Sequence, residues 1–103
     1  MFRRGRFDDL IRRQLDLFEI DEAPLLGEAD EADAAWTKAA REETEELYGD
    51  YQLVVDALGE RLHEVRESYT SSLDERTAEE YRTAFNRAAA KRFRRFVGFL
   101  EDV

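Results

Sequence analysis

Glu60 and His63 are the pair whose types and spacing most resemble a reaction centre: Glu60-Arg-Leu-His63 sets a carboxylate and the chain's single imidazole three residues apart. On a helix such a pair projects in one direction, as metal ligation requires. A second grouping, Lys91-Arg-Phe-Arg-Arg95, interleaves basic side chains with an aromatic ring and is extended along a helix by Arg82 and Arg87, a pattern met in nucleic-acid contacts. A third, Phe2-Arg-Arg-Gly-Arg-Phe7, offers Arg3, Arg4 and Arg6 to an acidic protein or to an anionic membrane surface. No nucleophile elbow or phosphate-cradling glycine loop occurs, and no histidine is placed beside a serine–carboxylate pair. Cysteine is absent, which excludes disulfides, thiolate metal sites and a cysteine nucleophile. The chain is therefore predicted to be non-enzymatic, with no catalytic residue and no cofactor.

The Glu-x-x-His spacing is similar to that of ferritin-like di-iron helices, and a dimer completing the centre across its interface would need only one such pair per chain. Helical phase weighs against it. With Leu58 at 0°, Leu62 and Val65 fall within about 40°, whereas Glu60 and His63 lie roughly 140–160° away on the polar side. A metal-binding dimer through Glu60 and His63 is kept as an alternative to the leading reading.

The elements that carry these residues follow from composition. In 103 residues there are one proline and five glycines, and the rest is rich in helix formers. The prediction is an all-α single domain over residues 1–103, a three-helix arrangement. A short N-terminal helix at about 6–19, carrying Phe7, Leu10, Ile11 and Phe18, folds onto a long antiparallel, coiled-coil-like hairpin of helices at about 30–69 and 73–102. Ile20-Asp-Glu-Ala-Pro-Leu-Leu-Gly27 reads as the first connection, bringing Phe7–Phe18 beside Trp36 and Ala40 and close to the broad Phe93–Leu100 surface. From Trp36 to Tyr69 apolar residues step by three or four in a near-heptad seam. Ser72-Leu-Asp-Glu75 fits a capping box for the last helix. The stripe Tyr81, Phe85, Ala88, Phe96 and Phe99 widens at Phe93, Val97 and Leu100, more apolar surface than one neighbour covers.

Twenty-five acidic against sixteen basic residues give a net charge of −9, which disfavours nucleic-acid binding. The charge is polarised: residues 21–50 carry −9 and residues 81–103 carry +4. Antiparallel pairing is expected to set Glu42–Glu46 and Asp50 against Lys91–Arg95 within one molecule. It leaves residues 21–33 as an acidic patch without counter-charges, either a docking surface or a solvated connection. No stretch reaches the roughly 20 apolar residues of a membrane span, and the N-terminus lacks the apolar segment of a signal peptide, so the expected location is the cytoplasm or the cytoplasmic face of the membrane.

Fourteen arginines against two lysines fit a GC-rich genome. The opening Phe2-Arg-Arg-Gly-Arg-Phe-Asp-Asp-Leu-Ile-Arg-Arg-Gln-Leu-Asp-Leu-Phe18 is similar in style to small uncharacterised helical proteins of high-GC actinobacteria. Some small helical proteins of such bacteria are accessory subunits of membrane complexes, including respiratory ones, so the resemblance implies a partner-binding role and no active-site residues. The leading expectation is a protein–protein interaction module or accessory subunit contacting its partner through Arg3, Arg4, Arg6, Phe93, Phe96, Phe99 and Leu100. The alternative partner is a second copy in a structural homodimer.

Overall fold

The computed structural model describes residues 5–96. It contains four helices, α1 (Asp8–Asp21), α2 (Ala23–Thr37), α3 (Thr44–Thr70) and α4 (Glu75–Arg92), and no strand among the described residues. The all-helical expectation holds; the count of three does not, because the segment expected to be a connection and the first part of the long helix together form α2.

Pro24 lies in the first turn of α2, where its missing N–H has no intrahelical partner to lose and its fixed φ suits a helix. It therefore starts a helix rather than interrupting one. The chain turns instead at residues 38–43, which contain neither glycine nor proline. Continuing straight would carry Trp36 into solvent. Turning back lets α2 pack on the first half of α3, with the Trp36 ring 5.0 Å from Tyr48 and 6.0 Å from Tyr51. Burial of this apolar face, with Leu26 and Ala29 in the core, outweighs continuity of the helix.

α3 is the spine, 27 residues long and so about 40 Å. α4 runs antiparallel to it, joining Tyr69 to Tyr81 at one end (4.7 Å between rings) and Tyr51 to the Arg95 carbonyl at the other (3.5 Å). α1 lies parallel to α4: Phe7 meets Tyr81 at 5.4 Å, and Phe18 meets Phe93 at 5.7 Å, the expected closeness to the Phe93 end. The cap of α4 is Asp74 rather than Ser72. Its carboxylate accepts from the Thr77 N–H and hydroxyl, both at 2.9 Å, which holds its pKa below the usual aspartate range.

The core joins Ile11, Leu15 and Phe18 to Leu58 and Leu62 and to Tyr81, Phe85, Ala89, Phe93 and Phe96. Phe93 and Phe96, expected at a partner surface, are 2% and 0% exposed, because the chain after α4 turns into the core, where Phe18 of α1 packs on Phe93. Arg3, Arg4, Phe99 and Leu100 lie outside the described residues. No helix among those described is long and apolar enough to cross a membrane.

Candidate interaction surface

Two polar groupings stand out, and they differ in whether their charges are answered. The first surrounds Arg66. The apolar seam of α3 steps Leu58, Leu62, Arg66, Thr70, so helical phase carries an arginine inward, where it is 3% exposed. Its guanidinium donates to Glu67 Oε2 at 2.8 Å and to Asn86 Oδ1 at 2.9 Å. The remaining nitrogen lies 3.0 Å from His63 Nδ1. Arginine has no acceptor, so in this contact the imidazole accepts at Nδ1 and carries its proton at Nε2.

Glu67 also receives two parallel bonds from Arg82, at 2.9 and 3.0 Å. The Arg82 hydrogen bonds, opposed by partial burial and reinforced by Arg66, hold the Glu67 carboxyl down at about 2. Nearby, burial pushes the Tyr81 phenol up to about 12 although its hydroxyl donates to Gln14 Oε1 at 2.7 Å. Burial, then the negative field of Asp33, also raises Tyr51.

Each of these perturbed groups is engaged in a contact that fixes one helix to another or caps one. Glu60 and His63 are exposed, with His63 turned to Arg66, and no group of three metal-ligating side chains forms among the described residues.

The second grouping is unanswered. Residues 42–60 hold seven acids and no basic residue. Lys91–Arg95 does not neutralise them as expected: Arg92 pairs with Asp16 and Glu19 on α1, and Arg95 with Asp30 on α2. The reason is the extra helix, since α2 occupies the first half of α3 and brings its own carboxylate to the end of α4. Asp30, within the acidic patch expected to be unpaired, is therefore paired.

On the outer face of α3, Glu46, Asp50, Leu53 and Glu60 follow one another at spacings of four, three and seven residues, all exposed. Leu53 is 70% exposed. It lies about 140° from Leu58 around the helix, and this departure from the seam, inside a stretch whose charged residues are all acidic, is the sequence signal by which it could have been found. Tyr48, 42% exposed, flanks the tip. The neighbouring Trp36 indole has its Nε1 buried without a hydrogen-bond partner. Arg6, the described member of the N-terminal arginines, pairs with Glu80 at 3.5 Å in an exposed contact. Comparison with protein-family models, with curated proteins and with solved structures returns no match, so a function must be argued from these residues.

Proposed function

We propose that the chain is a non-enzymatic protein–protein interaction module, a cytoplasmic accessory subunit that docks to a larger assembly through the acidic outer face of α3. The observation that supports this reading is the seven acidic residues of 42–60 left without an ion pair among the described residues, around a leucine that folding does not bury. An acidic helix face with one apolar residue at its centre suits a basic partner surface containing an apolar depression, with the leucine as anchor and the carboxylates setting orientation and encounter rate. The chain's strongly engaged charges, Arg66, Glu67 and Arg82, are committed to holding helices together, whereas the carboxylates of the α3 face remain available to another molecule.

The test is purification of a tagged chain from its source with quantitative mass spectrometry, beside a Glu46→Lys, Asp50→Lys, Leu53→Asp variant. A stoichiometric partner lost from the variant, with helicity by circular dichroism unchanged, is the expected result. A partner retained in full by the variant would remove the α3 face from the reading.

A further inference from the structure

A cleft of about 370 Å³ runs between α1 and α4, lined by Asp8, Ile11, Arg12, Leu15, Ala88, Lys91 and Arg92. Its floor is apolar, from Ile11, Leu15 and Ala88, and its walls are mostly basic. Asp8, the one acid lining it, already accepts from the Gly5 N–H at 2.7 Å. Lys91 lines the cleft, Arg87 lies one turn before it on the same side of α4, and Arg94 follows in the turn after the helix. All three are exposed, and none makes an ion pair among the described residues. An apolar floor with exposed, unpaired cations beside it is the complement of the α3 face, an exposed leucine among unpaired carboxylates. The two surfaces belong to one chain, yet they do not meet within it, because α2 and the acids of α1 stand where the acidic face was expected.

We infer that the α1–α4 cleft receives the α3 face of a second copy of this chain. This assignment rests on the reading of the acidic face above and names its partner. Leu53 of one copy enters the depression over Ile11, Leu15 and Ala88 of the next, while Glu46 and Asp50 lie against Arg87 and Lys91. This is helix-in-groove recognition with charge setting the register. Since donor and acceptor are different patches, the contact is head-to-tail, and each added copy presents a fresh face until a ring closes.

The net charge of −9 gives the association an unusual salt dependence. At about 10 mM salt, where screening reaches about 30 Å, whole-molecule repulsion acts across the contact. At about 100 mM the screening length of about 10 Å falls below the molecule's smallest extent of 22 Å, so repulsion fades while the close pairs survive. At about 1 M the pairs are screened as well.

Sedimentation velocity on the full chain at these three salt concentrations tests the inference. The expected result is a weight-average mass at least about twofold that of the monomer at the middle concentration, lower at both extremes. Two charge-reversed chains sharpen it: Arg87→Glu with Lys91→Glu, and Glu46→Lys with Asp50→Lys. Each alone is expected to stay monomeric, since its face and cleft then carry like charges, while an equimolar mixture recovers association because every contact is again complementary. All four positions are exposed, so folding is retained and checked by circular dichroism.

A wild-type chain monomeric at all three concentrations, or a mixture that stays monomeric, would overturn self-docking. If in that case a different basic protein still co-purifies and is lost with Glu46→Lys and Asp50→Lys, the acidic-face reading survives and only its partner changes.

Discussion

The end of the molecule where α1, α4 and the last turns of α3 meet is closed, whereas the end where α2 lies on the first turns of α3 is closed on one side only. At the first, Tyr81 and Phe85 are wholly buried, and Phe7, just before α1, and Tyr69 of α3 pack their rings against Tyr81. A buried arginine, a carboxylate, an asparagine and a second arginine tie α3 to α4. At the second, α2 contributes Leu26, Ala29 and Trp36, one ion pair from Asp30 reaches across, and the outer side of α3 carries acids and an exposed leucine. Charges that are hydrogen-bonded and partly dry define geometry; charges left in water on an open helix face define what the molecule attracts. The closed end keeps the fold, and the proposed recognition lies at the open end, where surface changes cost little stability.

The contrast can be broken most strongly at its core. Phe85→Ala is expected to cost about 3–5 kcal/mol, because the ring is fully enclosed and the cavity cannot collapse between three helices; urea unfolding monitored at 222 nm reads it. Arg66→Ala, which removes the guanidinium bond to Asn86 Oδ1 and one of the two donors to Glu67 Oε2, is expected to cost about 2 kcal/mol in the same assay. Equal stability of that variant would mean that packing alone fixes the α3–α4 register.

The pH dependence follows from Glu67. Its carboxyl is held at about 2 in the fold against an ordinary 4.5, so more protons bind to the unfolded chain in that window. The resulting stability is complete above about pH 4.5 and is lost as pH falls toward 2. Thermal melts over this range should fall less steeply for Glu67→Gln than for the wild type.

Smaller effects sharpen the other end. A Cβ added at Gly27, inside α2, meets nothing within 4 Å, so Gly27→Ala is expected to stabilise by about 0.5–1 kcal/mol through the unfolded state and helix propensity. Leu53→Asp should change stability by no more than about 0.5 kcal/mol, since its side chain is mostly in water. That a change of such small structural effect should remove association is what separates a recognition residue from a core residue.

Much of the closed end was legible in the chain. The stripe Phe7, Ile11, Phe18 and the seam through Leu58 and Leu62 are buried as their periodicity implies, and Tyr81 and Phe85 lie where the last helix turns inward. The open end was read less well. A proline and a glycine within four residues looked like a connection, but at its first turn a helix accommodates the former, and open space around Gly27 tolerates the latter. The turn at 38–43 carries no local breaker, so nothing in its own residues distinguished it from helix. The surface expectation inverts in the same way: Phe93 and Phe96, apolar enough to suggest a partner face, are buried, while Leu53, on the acidic side of α3, is exposed.

By itself the sequence determined the helical class, the absence of thiol chemistry, the polarised charge and the faces of the helices that must be buried, because these depend on residue type and on a fixed 3.6-residue period. Only the tertiary structure decided where the long apolar seam breaks, which acids meet the basic end of the chain, and which charges remain for another molecule. Those outcomes depend on how much apolar surface each alternative packing buries between elements distant in sequence, a quantity that no local pattern contains.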